Sequence, residues 1–188
     1  MRRDGFVHLK RMEGFPLYRQ LPTDNSCGPV VIMMVADYFK KKRGHRLYAE
    51  EWSHVLKITM GNDLTQRSGT RREDLMRALH AVGLRYRKIR VRGNDGDRGA
   101  LRKALHENRP VIVGCKIPFE GEPYRHYVVL VKMDDEYLHF ADPFPHEDTR
   151  KGNLRHVRWD DFKRRRWSDG MTVWGRDRWA IEVGISSS

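Results

Sequence analysis

The chain holds only two cysteines, Cys27 and Cys115, in 188 residues. Two cysteines make no disulfide framework. Met1-Arg2-Arg3-Asp4-Gly5-Phe6 carries no apolar signal region, so both are expected as reduced thiols in a cytoplasmic setting. No apolar run reaches membrane-spanning length, which leaves no membrane segment to propose. No Cys/His set has zinc-ligand spacing, so neither a metal nor a cofactor is implied. Internal repeats, heptads, low-complexity tracts and linkers are also missing, and the length fits one domain over residues 1–188 with enough chain for a core. Acidic residues are in short supply: 25 Asp and Glu face 37 Lys and Arg, for a net charge of +12.

The positive excess is densest at Lys40-Lys41-Lys42-Arg43 and Lys163-Arg164-Arg165-Arg166. It reads as a solvated surface, or as a partner for an acidic peptide, an acidic protein or nucleic acid. No RNA-binding aromatic–Gly signature accompanies it, so nucleic-acid binding rests on charge alone.

What is present is organised around Gln20-Leu21-Pro22-Thr23-Asp24-Asn25-Ser26-Cys27-Gly28-Pro29 and the apolar run that follows, Val30 to Phe39. Turn formers give way to a buried helix, with Pro29 in its first turn and Asp24, Asn25 or Ser26 as a cap. Cys27 falls at the tip of that helix. Unpaired N–H groups and the helix dipole stabilise a thiolate there. On position alone Cys27 also reads as a small residue starting a core helix.

The rest of the chain is expected to alternate as follows. The first helix spans Cys27 to Tyr38, ending before the basic run and Gly44. A second covers Ala49 to Lys57, and 58–69 is a polar loop. Thr70-Arg71-Arg72-Glu73 is a capping box opening a helix with Leu75, Met76, Leu79 and Val82 on one side, closed by Gly83. Leu84 to Val91 is a strand with one basic face. Gly93 to Gly96 is a turn and Asp97 to Asn108 a helix. Pro110 to Ile117 and His126 to Lys132 are buried strands, with Cys115 packed in the first. After the turn at Met133 to Glu136, Tyr137 to Asp142 returns and Pro143 ends it. Asp160 caps a last helix containing Phe162 and Trp167, and Arg178 to Val183 closes the sheet. Helices first and strands later argue for α+β, with helices packed on a C-terminal antiparallel sheet.

A turn centred on Asp134-Asp135 places His126, at the start of a central strand, across from Asp142 or Pro143. A carboxylate there can fix the ring tautomer and stabilise the imidazolium, or simply form a structural His–Asp pair. A helix-tip cysteine, a strand histidine and an aspartate on the next strand are the parts of an activated thiol nucleophile. Gln20 adds a side-chain amide that can donate to an oxyanion beside the backbone N–H of Cys27. Taken alone it also reads as a solvated loop glutamine.

Gln20 with Asp24-Asn25-Ser26-Cys27-Gly28-Pro29 resembles the Gln…Asp-x-x-Cys-Gly-Pro signature of the C39-like, papain-fold cysteine peptidases. Gly69, Thr70, Leu75, Ala78, Leu79 and Gly83 are similar to the helix that follows the nucleophile in that family. Arg109-Pro110-Val111-Ile112 and His126-Tyr127-Val128-Val129 match its two strand motifs, Asp142-Pro143 its Asp-Pro, and Trp159, Phe162 and Trp167 its closing helix. The resemblance covers roughly residues 18–167 and is to a stand-alone member. It implies a papain-like fold, Cys27 as nucleophile, His126 as base, Asp142 as orienter and Gln20 as oxyanion donor. Gln20 stands further from the cysteine than in many members. No transporter domain follows, so double-glycine leader cleavage is not implied.

The reading is then a cysteine peptidase or amidase acting through a thioester acyl-enzyme on an acidic peptide or protein. An acyltransferase on the same site is an alternative. So is a non-catalytic basic module for an acidic partner or nucleic acid. Loop 58–69 and segment 116–125 are the expected rims of a groove.

Overall fold

A computed structural model of the chain describes residues 6–10, 12–20, 25–43, 49–60, 69–91, 95–119, 122–144, 153–164, 172–173 and 178–185. Loop positions 61–68, the turn at 93–94, Asp24 and Trp167 lie outside the described residues.

Helix α1 spans Cys27–Arg43. Its apolar run is covered on most sides, with Val30, Val31, Ile32, Met34 and Val35 all buried. It does not stop before the basic run as expected. The helix carries on through it, because cations suit the carbonyl end of a helix. Lys40 is ion-paired there to Glu51 of α2 (Ala49–Met60), which runs past Lys57 to Met60.

Helix α3 (Arg72–Ala81) turns Leu75, Ala78 and Leu79 inward. Gly83, at φ +75°, ends it and donates its N–H to the His80 carbonyl at 2.9 Å, a backbone state glycine adopts without strain. The expected capping box is not formed. Arg71 takes the N-cap position with no side-chain cap bond, and Thr70 is buried behind it. Helix α4 (Asp95–His106) begins two residues early and takes Asp95 and Gly96 out of the expected turn. In α5 (Trp159–Arg164) Asp160 lies inside the first turn rather than capping it. Phe162 stacks on Trp159 at 5.8 Å and on Phe140 at 6.2 Å, which docks this helix on the sheet.

The strands are β1 (Val7–His8), β2 (Leu84–Val91), β3 (Val111–Phe119), β4 (Glu122–Met133), β5 (Tyr137–Asp142), β6 (Asn153–Arg158), β7 (Thr172–Val173) and β8 (Arg178–Ile185). They form one antiparallel sheet in the order β2-β8-β3-β4-β5-β6, with β1 against the end of β4 and β7 against β3. The α+β architecture is as expected, although β1 and β2 join the sheet from the N-terminal half. β6 was not anticipated. His126 does not start its strand: β3 and β4 pair from Phe119 and Glu122 inward, so β4 begins four residues earlier. Among the described residues no helix is long and apolar enough to cross a membrane.

Candidate active site

The site forms where the tip of α1 meets the middle of β4. Helix α1 begins at Cys27, with the Val30 N–H donating to the Ser26 carbonyl at 2.9 Å. The helix start approaches the entry of α3 closely. A Cβ on Gly28 would overlap Oγ1, Cβ and Cγ2 of Thr70, so only glycine fits after the cysteine. The Thr70 carbonyl in turn accepts a hydrogen bond from Tyr127 Oη at 2.9 Å. Thr70 therefore bridges the neighbour of Cys27 and the neighbour of His126. This is what takes it away from the capping role: its side chain fills the space at Gly28.

On β4, His126 lies directly across from Cys115 of β3. Asp142 reaches the ring by way of an irregularity. Near the turn, Met133 pairs with Leu138 and Lys132 with His139; past a β-bulge at Val131, Leu130 pairs with Phe140 and Val129 with Ala141. Continued one residue, this register sets Asp142 beside Val128. Side chains alternate along a strand, so Asp142 shares a face with His126, two residues on. Without the bulge Asp142 would align with Val129 and point to the other face. The Leu9 N–H donates to the Val131 carbonyl at 3.1 Å, which keeps the bulge hydrogen-bonded.

His126 Nε2 lies 2.6 Å from Asp142 Oδ1. A carboxylate only accepts, so Nε2 carries the proton and Nδ1 is left to face the thiol. Cys27 is the neighbour on that side and acts on the ring both as a hydrogen-bond partner and by charge. Cys27, His126 and Asp142 are at most 1% exposed. Burial pulls the imidazolium down, but the charge and hydrogen bond of Asp142, aided by Cys27, overcome it and raise His126 to about 9. Burial pushes the Asp142 carboxyl up. His126, Arg155 and the Phe144 N–H, which donates to Oδ1 at 2.8 Å, outweigh that and hold it below the usual carboxylate range.

Gln20 is 2% exposed, not a solvated loop residue. Its backbone N–H donates to the Pro143 carbonyl at 2.9 Å, next to Asp142. Two residues earlier, Tyr18 hydrogen-bonds Asp37 of α1. These two ties lay the Gln20 segment between helix α1 and the loop after Asp142. All four candidate residues are thus gathered in one region. Two further residues belong to this region: Thr70, which the sequence reading makes only a helix cap, and Arg155 of β6, which it does not single out and whose Nε is 3.0 Å from Asp142 Oδ2. Among the described residues no group of three His, Cys, Asp or Glu could hold a metal ion.

A profile of the Peptidase_C39 like family matches residues 12–169. The chain belongs to this family. Its fold is that of the C39 peptidase domains. The peptidase domain of Streptococcus ComA, a bi-functional ABC transporter involved in quorum sensing, has a TM-score of 0.58 and 21% identity, covering 92% of this chain and 99% of that one. A C39-like peptidase from Bacillus anthracis has a TM-score of 0.61 and 16% identity, covering 98% and 100%. A double glycine motif protease from an AMS/PCAT transporter, solved in complex with the leader peptide, has a TM-score of 0.56 and 16% identity, covering 96% and 99%. No curated protein matches the chain.

One cavity, of about 820 Å3, lies by β1 between Phe6, His8 and Lys132, and Cys27 does not line it. Another cavity, of about 550 Å3, is walled by Lys57, Gly69, Arg71, Asp74 and Arg77. Gly69 and Arg71 flank Thr70, which packs on Gly28.

Proposed function

We propose that the chain is a cysteine peptidase or amidase that hydrolyses a peptide or isopeptide bond through a Cys27–His126–Asp142 triad. The observation that carries this is the buried contact of a helix-tip thiol with an imidazole whose other nitrogen is held 2.6 Å from a carboxylate. In the proposed cycle, the Cys27 thiolate attacks the carbonyl carbon while the His126 imidazolium stands by. The Cys27 backbone N–H and the Gln20 side-chain amide donate to the oxyanion. His126 gives its proton to the leaving amine, and the thioester forms. Water then attacks, His126 takes its proton, the C–S bond breaks to return the Cys27 thiolate, and the acid product leaves. Asp142 keeps the ring in one tautomer and stabilises its charged form throughout.

Membership of the C39-like family supports the reaction class, and the leader-peptide complex of one structural relative supports a peptide substrate. The net charge of +12 supports an acidic one. Two buried cysteines outside any disulfide fit a reducing, cytoplasmic compartment.

The test is turnover of a peptide library spanning acidic and basic sequences, read by mass spectrometry. Hydrolysed products enriched in acidic peptides, and lost in Cys27→Ala with the fold intact, support the reading. Turnover by Cys27→Ala at the wild-type rate refutes it. Products joined to an added amine in place of water mark an acyltransferase instead.

A further inference from the structure

We propose that Arg155 is a positioning residue of this site, a built-in counter-ion for Asp142 that makes the buried Cys27–His126–Asp142 group electroneutral and so keeps its ion pair formed at acid pH. The inference rests on the triad reading above.

The register places it. Asp142 pairs with Asn153 of β6, and Arg155 with Phe140. Arg155 therefore shares a face with Asp142, two residues along, just as His126 does on the β4 side. Asp142 sits between two diagonal partners, one on each neighbouring strand. Its Oδ1 takes the His126 Nε2–H and the Phe144 N–H, and its Oδ2 faces Arg155 Nε at 3.0 Å. This last contact is an ion pair whose N–H is not aimed at the oxygen. The Arg155 side chain is only 11% exposed, whereas its neighbour Leu154 is 43% exposed. A strand that turns its leucine out and its arginine in spends desolvation free energy. The buried carboxylate is what offsets it.

The charge arithmetic gives the arrangement a purpose. Thiolate, imidazolium, carboxylate and guanidinium sum to zero; so do thiol, imidazole, carboxylate and guanidinium. Proton transfer from Cys27 to His126 therefore leaves the buried group neutral. Without Arg155 the group carries one net negative charge in water-poor surroundings, which disfavours both thiolate and carboxylate. Among the described residues, the groups facing Asp142 are His126 from β4, Arg155 from β6 and the Phe144 N–H. Those facing His126 are Cys27 from α1, Asp142 from β5, the Cys115 thiol from β3 and the Phe144 ring at 6.0 Å.

The experiment compares wild type, Arg155→Met, Arg155→Gln and Arg155→Lys by the rate of Cys27 alkylation with iodoacetamide from pH 4 to 9, read by mass spectrometry. The neutral variants should move the acid limb up by about one pH unit, so that on that limb their rate falls about tenfold. Their rates above pH 8 should stay within about twofold, and Arg155→Lys should keep the wild-type limb. Superimposed limbs for wild type and a folded neutral variant overturn the proposal, as does a lysine variant shifted as far as the neutral ones. If neither neutral variant folds, the lysine variant decides: a wild-type limb supports the proposal, a limb moved by about a unit overturns it. Failure of the triad reading looks different. Alkylation of wild-type Cys27 would then be unchanged by His126→Asn.

Discussion

Replacing Asp142 with Asn tests the electrostatics of the site with almost no change of shape. The amide oxygen can still accept from His126 Nε2 and from the Phe144 N–H, so ring orientation and tautomer are kept, and only the charge goes. In the native protein burial works against the imidazolium, and Asp142 with Cys27 reverses this to hold His126 at about 9. Against an ordinary value near 6.5, that difference corresponds to roughly 3 kcal/mol in favour of the charged ring. In Asp142→Asn the cost of burial is opposed by Cys27 alone, and Arg155 now adds a repulsive charge. His126 should fall below 6.5, and at pH 7 the rate of Cys27 alkylation should fall about a hundredfold. Ring-nitrogen NMR of His126 reads the first quantity and iodoacetamide kinetics the second. Stability supplies a third readout. A raised histidine contributes its full stabilisation below its unfolded value and loses it as pH rises through the folded one. The wild-type melting temperature should thus decline between about pH 6.5 and 9, and the variant should lack that slope. A His126 that still titrates near 9 without the carboxylate would refute the reasoning.

Two other substitutions probe separate parts of the site. Gln20→Ala should lower kcat/KM on a peptide by about 10²- to 10³-fold, the usual cost of one oxyanion donor, yet leave iodoacetamide alkylation of Cys27 unchanged, because that displacement forms no oxyanion. Equal losses in both assays would mean that Gln20 acts on the thiol instead. Gly28→Ala should overpack the α1–α3 contact at Thr70 and cost about 1–3 kcal/mol. A calorimetric melt would show a fall of roughly 4–10 °C, partly recovered by adding Thr70→Gly. A Gly28→Ala protein as stable as wild type would contradict the close approach.

Where local pattern and tertiary demand agree, the sequence is legible. The strands Leu84–Val91 and Tyr137–Asp142 have the expected bounds, because alternation and a following turn or proline define them. The start of α1 at Cys27 is read from turn formers, Pro29 and an apolar run. The nearness of His126 to Asp142 follows from hairpin arithmetic, but the arithmetic cannot see the bulge at Val131 that puts both on one face. Thr70 is misread because a good capping pattern competes with a packing need at Gly28 that only the fold reveals. Strand β6 and Arg155 stay hidden for a sharper reason. Asn153-Leu154-Arg155-His156 violates the rule that leucine goes in and arginine goes out, and the violation exists because Asp142 is buried opposite. Such a breach of local pattern is where function is most often found.

The central claim is that the Cys27 sulfur and the His126 ring form one acid–base unit. The most direct measurement is the pH profile of Cys27 alkylation by iodoacetamide in wild type and in His126→Asn. The account predicts that alkylation in wild type persists to clearly lower pH than in the variant, whose thiol has no imidazolium partner. Coincident profiles for the two proteins would contradict it.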